Sequence, residues 1–290
     1  MLPISRILAP VDFSPRCLGM MGWAGLLARR YDAEVVLLHV ASSFYEIPPT
    51  GLSGPVLIPV SQKTLEEQAR ELETFASAEL AGLRVRRLIY QGETTGQIVE
   101  FARAEQASMI VMPTHGHGIL RRYLINSVTA GVLHDAACPV LTGVHVEEHA
   151  PLRAHAVSNI LCALDLGPQS QEVLHWATRL AADFGAQLGI VHVMSALDPG
   201  VTLLLSPDFQ LEMEKPIRAR VETLQSAAGA EAAKIYIEEG EAPKTAAEVA
   251  KSMGAQLLVI GRGVREHEKA RLRTNAYAII RQSPCPVISI

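Results

Sequence analysis

Short runs of apolar residues alternate along the chain with longer segments in which apolar residues recur every three or four positions. The runs Ile4–Ala9, Glu34–Val40 and Met109–Met112 are almost continuous in Val, Leu, Ile, Met and Ala, which is typical of strands buried on both faces. The segments Pro15–Arg30 and Gln62–Ala81 carry the helical spacing. Ser14 suits an N-cap and Pro15 the first helical position. Strands that alternate with helices predict a parallel sheet with helices on both faces.

The same series of elements occurs twice. The sequence ILAPVD, which ends at Asp12, returns as ILCALD, which ends at Asp165, 153 positions later. The pair Gly92-Glu93 returns as Gly240-Glu241 after 148 positions, and CPV at Cys138 returns as CPV at Cys285 after 147. Because the order is kept and the offset drifts slowly, the chain is an internal duplication. We therefore predict two tandem doubly wound α/β domains, residues 1–143 and 158–290, joined by a polar linker at 144–157.

Composition and charge exclude several classes of protein. Apolar residues make up 49% and charged residues 19% of the chain, as in a compact globular protein. The formal charge of −4 provides no general basic field, so nucleic-acid binding is not expected. The chain lacks the roughly 18-residue apolar run of a membrane span, and its first residues do not resemble a signal peptide. Four widely separated cysteines fit reduced thiols, and we expect a cytoplasmic protein.

A ligand is expected beyond the carboxyl ends of the strands, where the strand order reverses. In the first half, Asp12 follows the first strand and offers a carboxylate to a hydroxyl group, or to a metal through water. Residues 113–127 follow the fourth strand and lead into a helix, whose N-terminus attracts phosphate. The histidines at 145, 149 and 155 are unevenly spaced in the linker and are interpreted as solvated side chains, so no metal site is predicted. His39 and His192 occupy matching positions on apolar strands and are interpreted as core histidines.

Several motifs of the first half resemble the universal stress protein family. They are PVDFS at 10–14, LLHV at 37–40, Gly92-Glu93, Met112-x-Thr-His-Gly116, NSVT at 126–129 and CPV at 138–140. The second half resembles the same family more loosely, from about Asn159 onward. The resemblance implies two domains of the adenine nucleotide alpha hydrolase-like fold, each with five strands in the order 3-2-1-4-5. It also implies adenine-nucleotide binding, a role in the stress response, and a homodimer or an intramolecular pseudo-dimer.

The family's ATP-binding members carry glycine, two residues, glycine, nine residues, then glycine followed by Ser or Thr. The first half has Pro113, Gly116, Asn126 and Ser127 at these places. Pro113 lacks an N–H, whereas Asn tolerates a positive φ better than other non-glycine residues. Arg121 and Arg122 in the loop could clamp phosphate oxygens or remain solvated. By resemblance the first-half site comprises Ala9, Pro10, Val11, Asp12, Val40, Met112, Pro113, His115, Gly116, Arg121, Arg122, Asn126, Ser127 and Val128.

The second half also keeps one glycine of the pattern, Gly261, but the residues that replace the others are less favourable. Val264 replaces a glycine with a β-branched residue, which resists positive φ, and Glu266 and Glu268 would oppose a triphosphate. Asp165 could simply pair with a nearby amide. A second, weaker site would comprise Asp165, Val193, Gly261, Gly263, Thr274 and Asn275.

The sequence thus predicts a non-catalytic universal stress protein that binds ATP or AMP, with or without Mg²⁺, in its first half. No Walker motif and no nucleophile–base arrangement is evident, which argues against an enzyme, although slow ATP hydrolysis stays open. The alternative is an interaction scaffold that needs no nucleotide, with decayed loops in both halves. The protein partner is left open.

Overall fold

The computed structural model describes residues 1–42, 44–46, 56–58, 60–114, 127–143, 157–195, 207–262 and 274–290. Contacts between residues divide the chain into two compact units, one built largely on Pro3–Leu141 and the other largely on Ala154–Ile290. The two units correspond to the two halves of the predicted duplication.

The first unit is built on a parallel sheet. Its strands are β1 (Arg6–Val11), β2 (Glu34–Ala41), β3 (Phe44–Glu46), β4 (Val56–Ile58), β5 (Val85–Gln91), β6 (Met109–Pro113) and β7 (Val140–Gly143). The sheet order is β5-β2-β1-β6-β7, which is the predicted order 3-2-1-4-5. Strands β3 and β4 form a separate antiparallel pair that the sequence pattern did not predict. Central β1 pairs in parallel with β2 on one side and β6 on the other.

Burial on both faces explains why the strands read as continuous apolar runs. Every residue of β1 from Ile7 to Val11 is buried, and so is every residue of β2 from Val35 to Ala41. We predicted that the first strand ends at Ala9, yet it continues through Pro10, which lies opposite Leu38 in the register with β2. The extension carries the strand to Val11, directly before Asp12.

The described helices of the first unit are α1 (Pro15–Tyr31), α2 (Gln62–Thr74), α3 (Thr94–Ala104) and α4 (Ser127–Asp135). Helix α1 begins as predicted, because Ser14 Oγ accepts a hydrogen bond from the Cys17 N–H at 3.1 Å. The prediction that α2 continues to Ala81 was wrong. Phe75 takes an extended conformation and Ala76 has a φ of 55°, which ends the helix one turn or more earlier than its apolar spacing indicates.

The second unit repeats the arrangement. Its described strands are β8 (Asn159–Ala163), β9 (Gln187–Ser195), β10 (Lys234–Gly240), β11 (Leu257–Ile260) and β12 (Val287–Ser289). Its described helices are α5 (Ser170–Phe184), α6 (Pro207–Ala228), α7 (Ala242–Met253) and α8 (Thr274–Gln282). The sheet order is β10-β9-β8-β11-β12, again 3-2-1-4-5. Within the described ranges, no helix is both long enough and apolar enough to cross a membrane.

Candidate functional site

Asp12 lies directly beyond the carboxyl end of β1, in the turn that leads into α1. Its Oδ1 accepts a hydrogen bond from the Ser14 N–H at 3.0 Å. Between them, Phe13 has a φ of 60°, a left-handed conformation that is uncommon for an aromatic residue. The turn therefore holds the carboxylate at the end of the central strand by a backbone donor.

His39 on β2 supports this turn from the neighbouring strand. Its Nδ1 donates to the backbone oxygen of Val11 at 2.7 Å, and its ring packs against Phe13 with centroids 4.7 Å apart. Phe13 also contacts Phe75 edge to face. The prediction of a core histidine paired with nearby backbone is confirmed, because His39 is buried. Its Nε2 is also buried and has no hydrogen-bond partner among the described residues.

The carboxyl end of β6, the strand beside β1, and the start of α4 lie next to the turn that carries Asp12. The backbone oxygen of Pro113 accepts a hydrogen bond from Thr129 Oγ1 at 3.0 Å, which ties the end of β6 to the first turn of α4. Ser127, the first residue of α4, is exposed, and Val128 is half-buried. A Cβ on Gly131 would stand 2.5 Å from Thr95 Cγ2 of α3, so glycine is needed for this close approach.

The structure brings part of the predicted first-half set to one edge of the sheet. Asp12 directly follows β1, Val40 is the last residue but one of the adjacent strand β2, and Pro113 ends β6 beside β1. The side chains of Ala9, Val11, Val40 and Met112 are buried and pack in the core. His115, Gly116, Arg121, Arg122 and Asn126 lie outside the described residues, so their part in the site stays a prediction.

The thiol nearest this turn is not poised for chemistry. Cys17 Sγ donates to the backbone oxygen of Pro10 at 3.4 Å, and burial, followed by the charge of Asp12, raises the pKa of the Cys17 thiol to about 12. A thiol with so high a pKa carries almost no thiolate at neutral pH.

The second unit contains a cavity of about 540 Å³ at the corresponding end of its sheet. Four residues of the predicted second site line it, namely Asp165, Val193, Gly261 and Asn275. Thr274 begins α8 but its side chain is not described, and Gly263 lies outside the described residues. The structure thus gathers the described members of the second site around one cavity.

The turn after β8 reproduces the turn after β1. Asp165 Oδ1 accepts hydrogen bonds from the Gly167 N–H at 2.7 Å and from Ser170 Oγ at 3.2 Å. The pairing of Asp165 with a nearby amide, one of the two interpretations from the sequence, is therefore present. His192 Nδ1 donates to the backbone oxygen of Leu164 at 2.8 Å, as His39 does to Val11.

Sequence reasoning missed Gln169, which lines the cavity at the residue before α5. Its side chain makes no capping bond, and its Oε1 is buried with no hydrogen-bond partner among the described residues. Its position could have drawn attention to it, because Gln169 follows Pro168 directly before a helix. Ser, Thr, Asp or Asn is the usual residue at such an N-cap position, and glutamine is not.

The described residues include no group of three or more His, Cys, Asp or Glu side chains that could hold a metal ion. The prediction that the linker histidines are solvated falls on residues outside the described ranges.

Fold and sequence comparisons identify the class of protein. The sequence profile of the universal stress protein family matches residues 3–142 and again 157–290. These two segments cover almost the whole chain, and the chain therefore belongs to the universal stress protein family, with two domains in tandem.

Individual relatives agree with this assignment. A universal stress protein of Methanocaldococcus jannaschii is 32% identical over 138 residues, which cover 47% of this chain and 79% of that protein. One from Mycolicibacterium smegmatis is 27% identical over 217 residues, which cover 73% of this chain and 71% of that protein. The crystal structure of a universal stress protein from Archaeoglobus fulgidus superposes with a TM-score of 0.67 at 21% identity, covering 100% of this chain and 97% of that one. This likeness supports the fold.

Proposed function

We propose that the protein is a non-catalytic stress regulator whose first half binds an adenine nucleotide, ATP or AMP. One observation carries this proposal: Asp12 and the N-terminus of α4 follow the adjacent strands β1 and β6 at the carboxyl edge of the sheet. This edge is the crevice in which open α/β sheets bind ligands. Membership of a family with nucleotide-binding members supports it further.

The groups at this edge suit the two ends of a nucleotide. The Asp12 carboxylate is oriented by the Ser14 N–H, and carboxylates accept hydrogen bonds from ribose hydroxyls. Exposed Ser127 at the start of α4 offers a hydroxyl, and the helix N-terminus favours phosphate through its N–H groups and its dipole. The nucleotide would supply the negative phosphates, and the chain would bind and orient them.

A non-catalytic role fits the chemistry of the described side chains. Cys17 lies in the first turn of α1 beside Asp12, but burial raises the pKa of its thiol to about 12. We assign binding to this edge of the sheet and no covalent step to Cys17.

Thermal unfolding with ATP or AMP, each with and without Mg²⁺, tests this function. A ligand at about one hundred times its Kd stabilises the native state by about 2.7 kcal/mol, which corresponds to a rise in Tm of roughly 5–10 °C for a domain of this size. We expect this rise for the wild type and for Asp165→Ala, a matched change in the second half. It should be lost in the double variant Asp12→Ala/Ser127→Ala. A flat response of the wild type, equal to that of the double variant, would favour the scaffold alternative.

A further inference from the structure

The turn that carries Asp12 contains a backbone conformation that its own residues do not favour. Phe13 has a φ of 60°, in the left-handed region that glycine, asparagine and aspartate adopt far more readily than an aromatic residue. Leu166, the residue after Asp165 in the second half, has a φ of 56°. Such a conformation persists only where the surrounding structure holds it, and conformations of this kind cluster at functional sites. Another group must therefore hold Phe13 in place.

His39 on β2 contacts the residues on both sides of Asp12. Its Nδ1 donates to the backbone oxygen of Val11, the residue before Asp12, at 2.7 Å. Its ring stacks on Phe13, the residue after Asp12, with centroids 4.7 Å apart and a tilt of 40°. Phe75 contacts the same Phe13 ring edge to face, with centroids 5.7 Å apart. One buried side chain therefore restrains the backbone before and after the carboxylate.

The second half restrains its matching turn in a different way. His192 Nδ1 donates to the backbone oxygen of Leu164 at 2.8 Å, so the bond to the residue before the aspartate is repeated. After the aspartate, Leu166 has no ring to stack, and its backbone oxygen accepts a hydrogen bond from Arg220 at 2.8 Å. The histidine stacked on the turn is therefore a feature of the first half, for which we propose nucleotide binding.

We propose that His39 is a positioning residue of the first-half site, which sets the direction of the Asp12 carboxylate through Val11 and Phe13. This inference rests on the nucleotide binding proposed above and adds to it a residue from the core of the sheet. A polar binding group has to be held to within about 0.5 Å by the residues behind it. His39 acts through these two residues, and Asp12 makes the contact with the nucleotide.

Two substitutions separate the hydrogen bond of His39 from its bulk. His39→Asn keeps a donor, because the Asn amide nitrogen is bonded to Cγ as Nδ1 is, whereas His39→Leu has no donor. We expect His39→Leu to weaken ATP binding by about tenfold, the equivalent of one lost hydrogen bond. His39→Asn should keep the affinity within about threefold of the wild type. His192→Leu, the matched change in the second half, should leave it unchanged to within about twofold.

The Ser14 N–H reports on the turn when no nucleotide is present, because it donates to Asp12 Oδ1 at 3.0 Å. Its hydrogen exchange, followed by NMR in the ligand-free full-length chain, should be at least about tenfold faster in His39→Leu and close to that of the wild type in His39→Asn. The Gly96 N–H is the control, since the Glu93 carboxylate holds it at 2.5 Å elsewhere in the same unit. A general loss of stability would accelerate exchange at both amides, whereas loss of positioning accelerates it at Ser14 alone.

Calorimetric titration with ATP and the exchange of the Ser14 N–H together test the proposal. We expect weaker ATP binding and faster Ser14 exchange in His39→Leu, and recovery of both in His39→Asn. Unchanged ATP affinity or unchanged Ser14 exchange in His39→Leu, or equal acceleration at Gly96, would each overturn it. If the wild type binds no ATP, the proposed function fails. Ser14 exchange then still decides whether His39 positions Asp12: faster exchange in His39→Leu supports that role, and unchanged exchange overturns it.

Discussion

The backbone N–H of Ser14 donates to Asp12 Oδ1 at 3.0 Å, while the Ser14 side chain caps α1 by accepting the Cys17 N–H at 3.1 Å. One residue thus orients the carboxylate through its backbone and starts the following helix through its hydroxyl. The second half keeps the first of these interactions, since Gly167 donates to Asp165 at 2.7 Å. The carboxylate at the end of the central strand is therefore fixed by backbone geometry in both halves.

Replacing Ser14 should separate the two interactions. Ser14→Ala removes the helix cap, and we expect a loss of about 1 kcal/mol in the free energy of unfolding. Nucleotide affinity should remain, because the backbone N–H that holds Asp12 is kept. Urea unfolding and nucleotide titration measure the two quantities. Ser61→Ala is the control for the loss of a helix cap away from Asp12. It removes the exposed cap of α2, where Ser61 Oγ accepts the Thr64 N–H at 3.1 Å. A Ser14→Ala protein with native stability, or with lost affinity, would contradict this division of roles.

The close approach of α3 and α4 should make Gly131 intolerant of a side chain. A Cβ there would stand 2.5 Å from Thr95 Cγ2. We expect Gly131→Ala to lower the free energy of unfolding by about 1–3 kcal/mol, although alanine alone would favour the helix by up to about 1 kcal/mol. Thr95→Ser removes the clashing methyl group and should restore most of the loss in the double variant. An unfolding free energy above that of the wild type for Gly131→Ala would show that the helices move apart at little cost.

The pH dependence of stability should report the cap at Glu93. Hydrogen bonds from the Gly96 N–H at 2.5 Å and the Thr95 N–H at 2.9 Å lower the pKa of the Glu93 carboxyl below its ordinary value. A lowered folded-state pKa contributes stability that is present above the ordinary value, near 4.3, and is lost as the pH falls through the folded pKa. We expect the difference in Tm between wild type and Glu93→Gln to shrink as the pH falls from about 6 to 3.

Glu241 provides the control for this prediction. It occupies the matching N-cap position in the second half, where its side chain makes no capping bond. Glu241→Gln should therefore give a difference in Tm that does not change over the same pH range. If the Tm differences of Glu93→Gln and Glu241→Gln changed with pH in the same way, the capping bonds of Glu93 would not be the cause of the change.

The sequence predicted the sheets well because their signal is local. Strands β1 and β2 are buried along their length, so their apolar runs are uninterrupted, and the repeat of these runs revealed both units. The prediction was less accurate where the end of an element depends on backbone geometry, as at Ala76 after α2. The pairing of β3 with β4 depends on long-range contacts that no short-range pattern shows.

The site was harder to predict than the fold. Each loop keeps one glycine of the family pattern, so the sequence ranks the first half above the second only by the residues that replace the other glycines. The cavity of the second half instead depends on side chains from separate elements, such as Val193 on β9 and Ile217 on α6. The orientation of Gln169 depends on packing around it and could not be inferred from its place before α5.

Calorimetric titration of the full-length wild-type protein with ATP and Mg²⁺ is the decisive test of a nucleotide site in the first half. We predict that ATP binds, that Asp12→Ala/Ser127→Ala abolishes the binding, and that Asp165→Ala leaves the affinity unchanged. Binding that is absent in the wild type, or that survives the first-half variant and is lost in Asp165→Ala, would contradict the assignment of the nucleotide to the first half.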